Sequence, residues 1–197
     1  MPTNPVTRRG ILKSLTMGAV AGSVMRVIPL EAAEHAHDLI QSEKGTTGTY
    51  RPKFFDATSY KTLQALCETI VPADADAGGA IEAGAPDFID LLTSENTEYQ
   101  GVLGGGLEWL DATCKARYGK TYLDCQAQQQ TEILDLIAYR KNADSDGGLT
   151  SAVEFFSLLR TMTADGFFTS KIGIKYLGYK GNTYLTSFPG CPPVPGV

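Results

Sequence analysis

The sequence centres on residues 63–92, LQALCETIVPADADAGGAIEAGAPDFIDLL. Apolar residues at helical spacing, beginning at Leu63, predict a helix that ends before Pro72, because proline lacks an amide hydrogen and disfavours a helical residue before it. A loop of Asp, Ala and Gly follows, and Pro86 suits the first turn of a second helix. The stretch therefore predicts a helix, a fixed loop and a second helix, and none of its spacings resembles a catalytic constellation.

Helical periodicity also recurs in the rest of the chain. Apolar residues spaced as on one face of a helix predict further helices over about residues 103–118, 124–138 and 151–177, the last continuing past Gly166. Alternation of apolar and polar residues, which is typical of half-buried strands, is scarce. We therefore predict an all-α fold. It has a single helical domain of five to six helices over residues 58–197, with long ordered loops and an extended C-terminal tail over residues 178–197.

The N-terminus carries an export pattern. Residues 7–13, TRRGILK, match the twin-arginine pattern, in which Arg8 and Arg9 are the export signal. The apolar region after it contains Arg26, which argues against a stable transmembrane span. We predict a leader over residues 1–36, cleaved between about Ala32 and His37, and a periplasmic mature protein. The alternative is an ordinary amphipathic helix with a chance arginine pair.

The segment after the leader shows little periodicity. Residues 37–57 are rich in Gly, Thr, Ser and charged side chains, which predicts a linker or arm rather than a helix. Phe54 and Phe55 are the residues that we expect to pin this arm to the body.

Composition argues against several classes of function. The formal net charge of -5 argues against a nucleic-acid partner, which is bound through basic patches. The two histidines, His35 and His37, both lie at the predicted leader junction, so cleavage would leave at most one for catalysis or metal binding. The sequence carries no dinucleotide fingerprint and no c-type haem attachment motif. We therefore expect this chain to bind no cofactor and no metal.

The four cysteines differ in their surroundings. Cys67 and Cys114 lie on apolar helical faces and are predicted core residues. Cys114 and Cys125 flank a helix end and a turn, so a local bridge between them is one option. Cys191 stands in a tail rich in Pro and Gly and is a candidate disulfide residue. It can pair inside the chain, pair with a partner, or stay free.

The central stretch and the tail resemble a known family. The run IVPADADAGGAIEAGAPDFID over residues 70–90, with GYKGN at 178–182 and FPGCP at 188–192, resembles the gluconate 2-dehydrogenase subunit 3 family. Its members are small helical partners of FAD-dependent sugar and polyol dehydrogenases. The resemblance implies a flavoprotein partner of the glucose-methanol-choline type, which holds the FAD and the catalytic histidine. A cytochrome c subunit is a second candidate partner.

By this resemblance, the chain is a non-catalytic subunit that supports folding, export and stability of the flavoprotein. The aromatic tail is the expected contact with that partner, and its candidate interface residues are Tyr179, Tyr184, Phe188, Pro189, Gly190 and Cys191. The alternative is a free-standing periplasmic helical protein with a binding or structural role. An independent enzyme is a third option, and it would need a site built from Asp, Glu, Tyr and Lys.

Overall fold

The computed structural model describes residues 28–179 and 181, and the described part of the chain is helical and contains no strand. Within it, six helices have ten residues or more: α1 (Leu30–Thr47), α2 (Ala57–Ile70), α4 (Ala85–Ser94), α6 (Gly105–Tyr118), α7 (Ala127–Ile137) and α9 (Thr150–Phe168). Shorter helices connect them: α3 (Ala80–Ala83), α5 (Thr97–Tyr99), α8 (Arg140–Ser145) and α10 (Lys171–Tyr176). A π-helical turn (Gln100–Gly104) leads into α6, and two 3₁₀ turns lie at Tyr122–Asp124 and Gly147–Leu149. The predicted all-α single domain is confirmed.

The core is built around α4 and α9, which pack along each other. Every residue of α4 except its last is buried, so the second helix of the central stretch lies inside the domain. Gly166 is the point of closest approach: a Cβ there would lie 3.0 Å from the Phe88 ring and 3.1 Å from the Ala85 backbone. The glycine inside the predicted helix is therefore a packing residue. Cys67 and Cys114 are fully buried, as predicted.

The first helix, α1, differs from the sequence prediction. The predicted linker over residues 37–57 is wrong for residues 37–47, which belong to α1 and pack on α4. Three of the four buried side chains of α1 are alanines, at positions 32, 33 and 36, and the fourth is Ile40. Alanine is much less hydrophobic than leucine or isoleucine, so this buried face leaves a weak periodic signal.

The end of α9 also differs from the prediction. A single helix to about Leu177 was expected, but α9 ends at Phe168 and α10 begins at Lys171. Ser170 causes the break, because its hydroxyl accepts from the Gly173 amide at 3.1 Å and so caps α10. No helix within residues 28–179 is both long enough and apolar enough to cross a membrane.

Candidate partner-binding surface

The motif APDFID at the start of α4 holds the preceding arm in place through Asp90. This carboxylate is 0% exposed, and it accepts the amides of residues 53, 54 and 55 at 2.6, 3.1 and 3.0 Å. It also accepts the Tyr50 hydroxyl at 2.8 Å, and burial together with Asp90 raises the pKa of Tyr50, which keeps the donor protonated. A buried carboxylate needs such donors, because burying an unpaired charge is costly. Asp90 therefore fixes the arm. Of the two residues predicted to pin it, Phe55 is buried, whereas Phe54 is 36% exposed.

The other acid of the motif, Asp87, lies in α4 and contacts side chains of α1 and α2. Its Oδ2 lies 2.6 Å from Lys44 Nζ of α1, and its Oδ1 accepts the Tyr60 hydroxyl of α2. Burial, helped by the hydrogen bond to Asp87, raises the pKa of Tyr60, so this hydroxyl remains a donor. Asp87 and Asp90 point into polar networks, whereas the sequence indicated only charges that suit the start of a helix.

His37 is part of the folded body. Its ring stacks on Phe88 with 5.1 Å between centroids, and its Nε2 lies 2.9 Å from the Thr169 hydroxyl. Burial lowers the pKa of His37, and the nearby Asp38 acts in the opposite direction. This environment favours the neutral ring as a packing group between α1, α4 and α9.

Glu68, which lies in α2, holds the central loop, residues 71–79, in place. This carboxylate accepts the amides of Ala73 and Ile81, both at 3.1 Å. A Cβ at Gly79 would lie 2.1 Å from the Glu68 carboxylate, so a side chain at position 79 would displace it. Asp74 closes the loop tip by accepting two amides at 2.8 Å, those of residues 76 and 77. The predicted fixed loop between two helices is confirmed.

Exposed apolar side chains lie on α3, at the end of α9 and at and after the end of α10, and α10 packs against both of the other helices. We call this set the α10 surface. It consists of five residues that are 41–60% exposed: Ile81, Phe168, Tyr176, Leu177 and Tyr179. Exposed apolar patches of this kind mark sites of protein contact.

A cleft of about 540 Å³ separates the central loop from α10. Its lining combines acidic groups of the loop with Lys175 and apolar atoms of α10: Asp76, Ala77, Gly78, Glu82, Ile172, Lys175 and Tyr176. Among the described residues no group of three or more His, Cys, Asp or Glu side chains is placed to hold a metal ion. The cleft and the α10 surface together offer a mixed polar and apolar contact area.

One predicted interface residue, Tyr179, lies on the α10 surface, where its amide donates to the Ile174 carbonyl at 3.3 Å. The remaining site predictions lie outside the described residues: Arg8, Arg9, Tyr184, Phe188, Pro189, Gly190 and Cys191. Sequence reasoning missed Phe168 and Leu177 because they fall within a predicted helix, whose apolar residues are taken as core. It missed Ile81 because that residue falls in the predicted loop, where no contact surface was expected.

A family model described as Gluconate 2-dehydrogenase subunit 3 matches residues 57–190, more than half of the chain. The chain belongs to the gluconate 2-dehydrogenase subunit 3 family. No curated protein and no solved structure matched it. The family match begins at the first residue of α2 and includes the central loop, the two motif acids and α10. Helix α1, which supplies Lys44 to one of those acids, lies before it.

Proposed function

We propose that this chain is a non-catalytic small subunit of an exported FAD-dependent sugar or polyol dehydrogenase. Family membership supports a subunit role, since the family is named for a subunit of gluconate 2-dehydrogenase. In this proposal a flavoprotein of the glucose-methanol-choline type holds the FAD and the catalytic residues, and this chain binds no cofactor. A cytochrome c subunit is a further candidate partner, as acceptor of electrons from the flavin.

The observation that carries the proposal is the α10 surface. Five large apolar side chains remain in contact with water on α3, at the end of α9 and at the end of α10 and just after it, where a partner would cover them. Tyr179, the last residue of the α10 surface, is followed in the sequence by the other predicted interface residues, which run from Tyr184 to Cys191. The surface and the tail can therefore bind the same flavoprotein.

The anchored central loop favours this use. Glu68 and Asp74 accept three amides of the loop, and Glu68 also accepts the amide of Ile81 in α3, so the loop side of the cleft is already ordered before a partner arrives. A preorganised surface loses less conformational entropy on binding than a flexible one does.

Export is the second role that we propose for this subunit. The twin-arginine route carries folded proteins, and the pattern at Arg8 and Arg9 suits a subunit that leaves the cell together with a flavoprotein already folded around its FAD. Replacing both arginines by lysine is expected to leave both proteins in the cytoplasm. A flavoprotein that still reaches the periplasm beside the variant would contradict shared export.

The assembly proposal is tested by copurification. The full chain carries an affinity tag and is produced with the FAD-dependent dehydrogenase of the same organism. We expect a complex with flavin absorbance and dehydrogenase turnover, whereas the chain alone shows neither. If the chain is recovered as a cooperatively folded monomer and the flavoprotein is active without it, the free-standing alternative is favoured. If the chain alone oxidises a sugar or polyol, the non-catalytic role is wrong.

A further inference from the structure

Helix α1 is an integral part of the core. Ala32, Ala33 and Ala36 are at most 1% exposed, Ile40 is 2% exposed, and Ile28, just before the helix, is also buried. Alanines at positions 32 and 36 are one helical turn apart, and their small side chains let α1 lie close to α4. Within the described residues, the buried face therefore includes Ile28, the first of them.

Polar contacts tie the same helix to the region matched by the family model. Lys44 is the charged partner of buried Asp87, and His37 contacts both Phe88 and Thr169. Near the end of α1, Glu43 accepts the Arg51 amide at 3.1 Å and pairs with Lys53 at 2.5 Å. Removal of α1 would leave a buried carboxylate without its cation and would expose the apolar face of α4 to water.

We propose that the mature protein retains residues 28–47, which include α1, and that signal peptidase, where it removes the leader, hydrolyses a peptide bond before Ile28. Cleavage between Ala32 and His37, which the sequence predicts, would remove Ala32 from the core and could remove all three buried alanines. An earlier site is available in the sequence, because Ala19-Val20-Ala21 has the small-x-small form that signal peptidase cleaves. This inference does not rest on the proposed dehydrogenase partnership.

The direct test is the N-terminus of the exported protein. The full chain is produced with its partner in an export-competent host, and the periplasmic form is analysed by intact mass and N-terminal sequencing. An N-terminus at or before Ile28 is the expected result. An N-terminus at any residue from 29 to 48 would overturn the proposal.

A stability measurement gives a second test that does not depend on export. Chains that begin at Ile28 and at His37 are compared with the full chain by thermal unfolding. We expect the chain from Ile28 to match the full chain, and the chain from His37 to lose more than about 10 °C in Tm or to aggregate. Equal Tm values for the two shortened chains would show that residues 28–36 add nothing to the core and would overturn the proposal.

Point variants on α1 separate core packing from chain length. Ala36→Leu introduces three carbons at a fully buried position, and Glu34→Leu introduces leucine at an exposed position of the same helix. We expect Ala36→Leu to lower the Tm and Glu34→Leu to leave it nearly unchanged. If Ala36→Leu is tolerated as well as Glu34→Leu, α1 does not occupy the core and the proposal fails.

Discussion

Lys44 of α1 and Asp87 of α4 form an ion pair, with 2.6 Å between Nζ and Oδ2. Lys44 lies outside the region matched by the family model, whereas Asp87 belongs to the motif inside it. Asp87 is nearly buried, and its other oxygen accepts the Tyr60 hydroxyl. The pair therefore links a helix that lies before the matched region to a helix inside it.

The first prediction concerns this ion pair. Lys44→Met keeps much of the side-chain length but leaves the Asp87 carboxylate with one partner, so we expect a loss of about 1–3 kcal/mol in the free energy of unfolding. Lys53→Met is the matched control, because its partner Glu43 is more exposed than Asp87, so the loss of this pair should cost less than about 1 kcal/mol. Urea unfolding of both variants measures the difference. Equal losses would mean that the Lys44 pair is an ordinary surface contact.

Asp90 is predicted to hold the arm. Asp90→Ala removes the acceptor of three amides and one hydroxyl, and we expect a loss of about 2–4 kcal/mol in unfolding free energy. Hydrogen exchange locates the effect: the amides of residues 53, 54 and 55 should exchange much faster in the variant. Asp74→Ala, at the loop tip, is the control and should leave these amides protected. Unchanged protection in Asp90→Ala would contradict the role given to this carboxylate.

His37 is predicted to make stability depend on pH. Burial lowers its pKa in the folded state, so the unfolded chain takes up the proton first as the pH falls below the ordinary histidine pKa of about 6.5. Folding stability is unaffected above that pH and is lost progressively below it, down to the lowered pKa. We expect the Tm of the native chain to fall more between pH 8 and pH 5 than that of His37→Gln. His35→Gln is the control, and a native-like pH dependence in His37→Gln would refute the assignment.

Cys114 and Cys125 are predicted to form a disulfide under oxidation. Both are free and buried in the structure, and burial, with a contribution from the neighbouring Cys125, raises the pKa of the Cys114 thiol to about 12. Reaction with oxidised glutathione should join them with a loss of about 2 Da, slowly at neutral pH because little thiolate is present. Peptide mapping checks the pairing. Labelling of both thiols after prolonged oxidation would contradict it.

A disulfide between Cys114 and Cys125 would limit the partners of Cys191, which lies outside the described residues. Cys67 is buried and accepts a hydrogen bond from the Thr163 hydroxyl at 3.5 Å, so a bridge to it would require the core to open. With Cys114 and Cys125 paired to each other, a disulfide of Cys191 is expected to join the flavoprotein. Non-reducing electrophoresis of the complex should then show a band at the summed mass, and Cys191→Ser should abolish it. Separate bands without reductant would exclude this bridge.

The long helices after residue 57 could be predicted from the sequence, because each has large apolar residues on one face. Helix α1 could not, since its buried face is mainly alanine and it follows an apolar leader pattern. The helix breaks at Ser170 because the Ser170 hydroxyl caps α10 in place of a continued α9. The spacing of apolar residues contains no information about such a cap.

The candidate surface was predicted in part. Tyr179 was assigned to the interface because it follows the last predicted helix, and it is exposed. The burial of Asp87 and Asp90 could not be predicted, because their donors come from residues 27 to 43 positions earlier in the chain. Sequence patterns show where a charge lies in a helix, but not which distant groups reach it.

The most direct test of the central claim, that the α10 surface binds the flavoprotein, is a binding measurement with surface variants of the full chain. Tyr176→Ser combined with Leu177→Ser should weaken binding at least tenfold, because both side chains are more than half exposed and lie next to the tail. Tyr139→Ser is the matched control, since Tyr139 is 58% exposed but lies between α7 and α8. The account predicts that only the double variant binds the flavoprotein with a higher Kd, and that the native chain, the double variant and Tyr139→Ser have the same Tm. Native affinity in the double variant would contradict it.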